Sequence, residues 1–194
     1  MTTSDIDLVY LVKTTGDDSA FSELVRRHQA RLRAFLTRLS GNQASVDDIA
    51  QMSLIKAHRA IADFRGGGSF RSWLFAIAYR EFLQSKRRDA AAARIKDAAA
   101  ASAPDVSAAP TDDLALDLKS ALAKLPENER ASLLLCDAAG FSHSEAAAAL
   151  GAPLGSVKSW VLRGREKMRA LLSPSDDAGH AGANPKQNGV AYAR

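Results

Sequence analysis

Apolar residues in this chain recur at the three- and four-residue spacing of an α-helix almost from end to end. The periodic stretches contain few glycines, and none alternates apolar and polar residues as a β-strand would. One segment breaks the pattern, since residues 89–113 are rich in Ala and Ser, and Pro104 and Pro110 prevent a continuous helix there. The sequence therefore predicts an all-α fold of two small helical domains joined by a flexible linker.

The limits of the periodic stretches set the predicted domain boundaries. The first domain is predicted over residues 1–88, the linker over 89–113 and the second domain over 114–172. Residues 173–194 have the small, polar composition of a disordered tail. A chain of 194 residues has room for two domains of this size.

Several protein classes are excluded by composition. Cys136 is the single cysteine, so an internal disulfide and a Cys-ligated zinc site are both ruled out. The longest apolar runs are far shorter than the roughly 20 residues that cross a bilayer. The first residues also lack the basic and apolar regions of a signal peptide. We expect a soluble, cytoplasmic protein with no membrane insertion.

The position of the charges is more informative than the net value of +4. Between Arg65 and Lys96 there are eight Lys or Arg residues and two acidic ones. Between Lys158 and Arg169 there are five basic residues and one acidic residue. Two separate basic stretches indicate a polyanion that is contacted at two places.

The second basic stretch forms part of a helix-turn-helix pattern between Gly140 and Arg169. Ser142 and Glu145 make an S-x-x-E capping box at the start of a short helix, Gly151 provides a turn, and a longer basic helix follows. In a DNA-binding unit of this kind the second helix enters the major groove. Its groove side would carry the polar residues, and its inner side the apolar ones. The polar set is Ser156, Lys158, Ser159 and Arg163, and the apolar set is Val157, Val161 and Met168. An ordinary helical hairpin with a solvated basic face is the alternative.

Aromatic and basic residues are mixed between Arg65 and Arg88, a composition that can stack on and hold unpaired bases. Phe70 and Trp73 share a helix face with other apolar residues, so we expect them in the core. Three more aromatic residues fall on a different face of the same predicted helix, where they can pack against the second helix. These are Phe75, Tyr79 and Phe82.

Acidic and amide residues cluster at the start of the predicted third helix, where Ser45 is the expected N-cap and Asp48 its capping-box partner. Acidic side chains are favourable there through the helix dipole, which alone explains them. No His, Lys or Ser constellation accompanies them, and the four histidines lack metal-ligand spacing. We therefore predict no enzymatic activity, no metal and no cofactor, with Cys136 a small core residue.

Two sets of motifs resemble the extracytoplasmic-function (ECF) sigma factors of the sigma-70 family. Region two of that family is similar to Asp47-Asp48-Ile49-Ala50-Gln51, Phe64-Arg65-Gly66 and residues 69–78. Region four is similar to Leu125-Pro126, Gly140-Phe141-Ser142, Glu145-Ala146-Ala147 and residues 153–159. The motifs occur in the family's order and cover about residues 17–88 and 114–172.

The resemblance implies three functional surfaces. Docking on the β′ subunit of RNA polymerase would involve Asp47, Asp48, Ile49, Gln51 and Met52. Opening and holding the −10 promoter element would involve Phe64, Arg65, Gly67, Arg71, Tyr79, Arg80, Gln84, Arg87 and Arg88. Reading the −35 element would involve Ser142, Ser156, Val157, Lys158, Ser159, Trp160, Arg163 and Arg165.

Four positions depart from the family's usual residues and affect which promoter is read. Met52 stands where Glu is common, Arg80 and Gln84 where Asn and Asp are common, and Trp160 where Arg often follows Lys-Ser. Base-edge contacts depend on individual side chains, so these changes alter sequence preference within the class.

The expected function is that of an alternative sigma factor, which binds core RNA polymerase through its β′ and β subunits and directs initiation at specific promoters. The resemblance further implies a role in a stress response and inhibition by an anti-sigma factor. The alternative is a stand-alone helix-turn-helix transcriptional regulator. The two differ in assembly, because we expect a sigma factor to be a monomer when free and an operator-binding regulator to be a dimer.

Overall fold

The structure is a computed structural model that describes residues 3–41, 45–97 and 113–173. Every regular element in these ranges is helical, which confirms the all-α prediction. The helices are α1 (Asp5–Thr15), α2 (Asp18–Ser40), α3 (Val46–Ala60), α4 (Phe70–Asp97), α5 (Asp113–Ala123), α6 (Glu127–Leu133), α7 (His143–Leu150) and α8 (Leu154–Leu172). A 3-10 turn, Ile61–Asp63, follows α3, and a π-helical turn, Leu134–Ala138, follows α6. None of the described helices has the length and apolar character that crossing a bilayer requires.

Helices α1 to α4 surround the core of the first domain. Helix α2 packs on α4, and both contribute fully buried side chains: Leu24, Leu32 and Leu36 from α2, and Leu74 and Phe75 from α4. Polar contacts attach α1 to α2, because the Asp5 carboxylate lies 2.6 Å from His28 Nε2.

The sequence predicts capping boxes at two helix starts. The structure confirms the box at Ser142 and contradicts the one at Ser45. Ser69 caps α4, since the backbone N–H of Ser72 donates to Ser69 Oγ at 3.1 Å. The predicted box at Ser45 is wrong: this residue already has helical backbone angles, and its side chain accepts no capping hydrogen bond. Asp48 is therefore left exposed and unpaired within the described residues.

Helix α4 is longer than predicted. It continues to Asp97, so the start of the predicted linker (residues 89–97) is helical. Four consecutive alanines, residues 90–93, explain this extension because Ala has the highest helix propensity. Residues 98–112 of the predicted linker, and residues 174–194 of the predicted tail, lie outside the described residues, and Asp113, the last residue of the predicted linker, begins α5.

Helices α5 to α8 form the second domain. The predicted box at Ser142 and Glu145 is present, with both reciprocal hydrogen bonds, and Gly151 ends α7 in the left-handed conformation at φ +63°. Gly164 allows α8 to approach α6 closely, since a Cβ there would lie 3.4 Å from the carbonyl oxygen of Glu129. This close packing fixes the second helix of the helix-turn-helix on its support.

The two domains are in contact, an arrangement that helical periodicity does not predict. Helix α4 of the first domain packs along α7 of the second. Phe75 and Phe141 meet across the boundary with their ring centroids 5.0 Å apart.

Candidate functional site

The exposed face of α3 combines acidic, amide and apolar side chains. Asp48, Gln51, Met52 and Ile55 lie at helical spacing and are all exposed, Met52 by 44% and Ile55 by 38%. Large apolar side chains on a solvent-facing helix stripe are typical of an interaction surface. Ile55 was not among the residues singled out from the sequence, because its position on this face depends on how α3 is packed.

Two residues of the predicted docking set differ from the rest. Ile49 is buried in the first domain, so its side chain belongs to the core and not to the exposed face. Asp47 is exposed and pairs with Arg33 of α2. We define the α3 stripe as Asp48, Gln51, Met52 and Ile55, which adds Ile55 to the predicted set and leaves out the buried Ile49 and the Asp47 that pairs with Arg33.

The glycine-rich loop between the 3-10 turn and α4 begins at an anchored residue. The Phe64 ring is buried, with ring centroids 5.4 Å from Trp73 and 6.2 Å from Phe70. Lys13 Nζ of α1 donates to the Phe64 carbonyl at 3.0 Å. Phe64 is therefore a core residue, which corrects its prediction as a DNA contact, and Lys13 is a contributor that local sequence patterns do not reveal.

The loop itself is open to solvent. Arg65, Gly66, Gly67 and Gly68 are all exposed, and Gly66 has the left-handed φ of +72°. A Cβ built on Gly67 or Gly68 would meet no atom within 4 Å. The backbone of this loop is thus accessible to a planar ligand such as an extruded base.

The predicted −10 residues on α4 divide between two faces. Arg80, Gln84, Arg87 and Arg88 are exposed and make no ion pair with the described residues. They follow one another at spacings of four, three and one, which places them along one side of the helix. We name this set the α4 basic stripe.

Arg71 and Tyr79 lie on the other face of α4, against the second domain. The Arg71 guanidinium donates to the carbonyl oxygens of Ala139 and Gly140, each at 3.3 Å, and lies 4.2 Å from the Phe141 ring centroid. The Tyr79 hydroxyl is 3.5 Å from Asn128, and burial together with the nearby Glu127 carboxylate raises the pKa of Tyr79 to about 12. Both side chains are covered in this conformation, contrary to their prediction as accessible DNA contacts.

The start of α8 presents the polar face that the helix-turn-helix pattern predicts. Lys158 and Ser159 are exposed, Ser156 is partly exposed, and Ser159 Oγ donates to the Gly155 carbonyl at 3.0 Å. Ser142 is exposed at the start of α7. Lys158 has no hydrogen-bond or ion-pair partner among the described residues, which leaves its ammonium group available to a ligand.

Val157 and Trp160 are oriented differently from the polar residues around them. Val157 is fully buried, so its assignment to the DNA-reading set is wrong, and the inward position expected from periodicity is correct. Trp160 is half-buried and packs against the core of the domain.

Acidic residues outside α8 pair with three of its other basic side chains. Glu129 of α6 is only 6% exposed and accepts from Arg163 at 3.1 Å and from Lys167 at 2.7 Å. Burial raises the pKa of Glu129, but the hydrogen bonds from Lys167 and Arg163 outweigh it and leave the pKa below its ordinary value. Arg165 makes two hydrogen bonds to Asp137, at 2.6 and 2.9 Å.

These ion pairs divide the basic residues of the predicted −35 set into two groups. Arg163 and Arg165 fix α8 on α6 and on the π-helical turn, whereas Lys158 remains unpaired among the described residues. Sequence spacing does not reveal the pairs, because Glu129 and Arg163 are 34 residues apart.

Within the described ranges, no group of His, Cys, Asp and Glu side chains is arranged to hold a metal ion. Cys136 is half-buried, and burial raises the pKa of its thiol, which keeps it protonated near neutral pH. It packs against the core, as its apolar surroundings predict.

Comparison with known proteins places these surfaces in a family. The family models for Sigma-70 region 2 and Sigma-70 region 4 match residues 24–92 and 115–168. The ECF RNA polymerase sigma factor EcfG of Rhodopseudomonas palustris is 37% identical over 142 residues, which are 73% of this chain and 78% of that protein. The ECF RNA polymerase sigma factor SigE of Mycolicibacterium smegmatis is 36% identical over 168 residues, and the match spans 82% of this chain but 65% of SigE.

The solved structures agree with the sequence relatives. The sigma factor RpoE of Bartonella quintana, crystallised in complex with the anti-sigma factor NepR, superposes with a TM-score of 0.69 at 30% identity. That superposition covers 80% of this chain and 98% of the RpoE chain. Regions two and four therefore occur here in the family's order and fold, and the chain belongs to the ECF RNA polymerase sigma factors of the sigma-70 family.

Proposed function

We propose that this protein is an alternative sigma factor that binds core RNA polymerase through the α3 stripe and directs initiation at promoters with specific −10 and −35 elements. One observation supports this most directly. Exposed polar side chains without a partner in the described part of the chain occur at each of three places: on α3, at the glycine loop with the α4 basic stripe, and at the start of α8.

The glycine loop and the α4 basic stripe suit contact with the −10 element. The loop gives a planar base access to the backbone, and Arg80, Arg87 and Arg88 place positive charge further along α4. Arginines without protein partners are available to phosphates, and each neutralised phosphate adds salt-dependent affinity. We propose that the loop holds an extruded base while the stripe holds the adjoining backbone.

Lys13 is proposed as a positioning residue for this loop. Lys13→Met keeps the aliphatic stem but removes the donor to the Phe64 carbonyl, and should lower the free energy of unfolding by about 1 kcal/mol. Transcription from a duplex promoter should fall, with a smaller fall on a template mismatched across the −10 element, because the loop acts once a base leaves the stack.

Lys13→Arg restores a donor and is the matched control for this experiment. It should recover both melting temperature and duplex transcription. A Lys13→Met protein that is destabilised but transcribes both templates equally well would assign Lys13 a purely structural role.

The start of α8 is proposed to read the −35 element. In a helix-turn-helix unit the first residues of the second helix reach the base edges, and Lys158 and Ser159 are exposed in that position. Arg163 and Arg165 would act through Glu129 and Asp137, by holding α8 at the angle that reading requires.

Alanine substitutions should separate these two roles on a panel of −35 variants. If the Lys158 ammonium contacts a base edge, Lys158→Ala should weaken the free energy of promoter binding by about 1–3 kcal/mol and relax the base preference at one position of the −35 element. If Lys158 contacts only phosphate, Lys158→Ala should weaken binding to every −35 variant. The slope of the logarithm of the binding constant against the logarithm of salt concentration should then become shallower by about one unit. Arg163→Ala should lower the melting temperature and leave the order of preference among the variants unchanged. Relaxed preference with an unchanged melting temperature in Arg163→Ala would assign base reading to Arg163 instead.

The anti-sigma complex of the RpoE relative supports a further part of the proposal. By that similarity we propose that an anti-sigma protein holds this factor inactive until a stress signal releases it. The protein would act in the bacterial cytoplasm, where the chromosome lies, without enzymatic activity or a cofactor of its own.

Gel filtration with core RNA polymerase tests the proposal as a whole. A sigma factor should elute as a monomer alone and co-elute with core enzyme when mixed. A dimer that binds palindromic duplex and does not join core polymerase would instead establish a stand-alone helix-turn-helix regulator.

A further inference from the structure

A cavity of about 300 Å³ lies between α2 and the π-helical turn that follows α6. From α2 it is lined by Arg31, Ala34, Phe35 and Arg38, which recur at the three- and four-residue spacing of one helix face. Phe35 is only 3% exposed, whereas both arginines are exposed. On the α2 side the cavity therefore has an apolar floor and a basic rim.

The π-helical turn forms the opposite wall. Leu134 is buried and extends the apolar floor, and Ala138 and Ala139 each contribute a side chain of a single methyl group. The backbone N–H of Ala139 donates to the Leu134 carbonyl at 2.9 Å, which fixes the shape of the turn. Single π-helical turns occur frequently at functional sites. The small side chains on this wall leave room for a ligand between the turn and α2.

Ion pairs occupy three of the five arginines of α2. The paired ones are Arg26 and Arg27, with Glu23, and Arg33, with Asp47. Arg31 and Arg38 make no hydrogen bond or ion pair with any residue that the structure describes. The two arginines of α2 that lack a protein partner are thus the two that line the cavity.

The charge of the cavity favours an anion. Its lining, drawn entirely from described residues, contains two arginines and no acidic side chain. Asp137 lies in the π-helical turn beside Ala138, but its carboxylate accepts two hydrogen bonds from Arg165 of α8. Guanidinium groups stay protonated at any physiological pH, so the positive charge at the rim is permanent.

Two guanidinium groups favour a phosphate over a carboxylate. Arg31 and Arg38 are seven residues apart, which is two turns or about 10 Å along α2. An anion between them lies about 5 Å along the helix axis from each Cα, within the length of an arginine side chain. A phosphate monoester carries about −1.5 to −2 charges and three acceptor oxygens, so it can bind both guanidinium groups at once. A carboxylate offers two oxygens and a single charge.

We propose that this cavity binds a phosphate monoester that carries a flat apolar ring, which is the chemistry of a nucleoside monophosphate. The phosphate binds Arg31 and Arg38 at the rim, and the ring packs on Phe35 and Leu134 at the floor. A volume of about 300 Å³ is at the lower end of the range of small-molecule sites, which fits a mononucleotide better than a larger cofactor. The site is separate from the α3 stripe, the α4 basic stripe and the start of α8. It therefore goes beyond the proposed sigma function and does not depend on it.

Calorimetric titration of the full-length protein tests the site, at low salt and in a buffer without phosphate. The probe is adenosine 5′-monophosphate (AMP), compared with adenosine and with inorganic phosphate. AMP should bind one-to-one with a dissociation constant below about 1 mM. Adenosine and inorganic phosphate should each bind at least tenfold more weakly, because each keeps only the ring or only the charge.

Four variants locate the binding. Arg31→Ala and Arg38→Ala should each weaken AMP binding at least fivefold. Ala34→Leu fills the cavity without changing any charge and should reduce AMP binding to the level of inorganic phosphate. Arg59→Ala is the matched control, since it removes the same charge at an exposed position of α3 that has no partner in the described part of the chain. It should bind AMP as the parent does, and all four variants should melt close to the parent when no ligand is present.

Three results would overturn the site. Equal affinity for AMP, adenosine and phosphate would show that the cavity does not recognise the ring and the phosphate together. Equal losses in Arg31→Ala and Arg59→Ala would show a general attraction of anions to the protein. A lack of AMP binding, together with weaker binding of promoter duplex by Arg31→Ala and Arg38→Ala, would assign these arginines to the DNA backbone. Co-elution with core polymerase remains the separate test of the sigma function, so failure of one proposal is distinguishable from failure of the other.

Discussion

Asp48→Arg is expected to weaken binding to core RNA polymerase by at least about tenfold, since a like-charge contact at an interface costs several kcal/mol. Asp48 lies at the acidic end of the α3 stripe, beside the exposed Gln51 and Met52. It makes no capping hydrogen bond in this structure, so its replacement removes only a favourable dipole interaction of about 0.3–1 kcal/mol from the fold. Titration of core polymerase with labelled protein measures the affinity, and thermal melting measures the stability of the fold.

Asp18→Arg is the matched control. Asp18 also lies in the first turn of a helix, is 89% exposed and is outside the α3 stripe, and its carboxylate lies 3.3 Å from His58 Nε2 near the end of α3, so thermal melting is measured for this variant as well. Its replacement carries the same change of charge and a similar dipole cost, yet core affinity should stay close to that of the parent. Equal losses of affinity in the two variants would show a general electrostatic effect, and unchanged affinity in Asp48→Arg would exclude α3 as the docking surface.

The apolar half of the stripe shows what sequence alone does not predict about a surface. Motif similarity placed Ile49 in the docking set, but Ile49 is buried, and Ile55 is the isoleucine that the helix exposes. A sequence motif identifies a helix but does not specify which side of that helix faces the core of the domain. The orientation of α3 depends on which of its residues pack against α2 and α4, and the residues that make those contacts are distant in sequence.

Local sequence patterns predicted most helix ends correctly, because the hydrogen bonds that end a helix are short-range. The box of Ser142 and Glu145 at the start of α7, and Gly151 at its end, act within a few residues of chain. A short-range hydrogen bond is encoded by its own segment, so spacing is sufficient to find it. Ser45 is the exception, because its backbone has already turned helical and its side chain no longer reaches the amides it would cap.

Long-range ion pairs changed the candidate DNA surfaces most. Glu129 pairs with Arg163 and Lys167, and Asp137 pairs with Arg165, although all three basic side chains remain about half exposed. The predicted −35 set has three basic residues, and two of them, Arg163 and Arg165, have acidic partners. Lys158 at the start of α8 has no partner among the described residues.

Gly67→Trp is expected to lower transcription from a duplex promoter by at least about tenfold, because a bulky side chain would occupy the loop where an extruded base should lie. The substitution is compatible with the fold. Gly67 does not need the left-handed backbone that Gly66 adopts, and a Cβ there meets no atom within 4 Å. Thermal melting should therefore match the parent, which separates function from folding.

Template design then identifies the step that fails. Extruding a base from duplex costs a few kcal/mol, so a template already mismatched across the −10 element supplies the opening that the altered loop no longer assists. Gly67→Trp should recover a large part of its activity on that template. Ala62→Trp, an exposed position just before the loop, should behave like the parent on both templates. If Gly67→Trp is equally defective on duplex and mismatched DNA, the loop acts in initial binding, and the assignment of base capture to residues 65–68 is wrong.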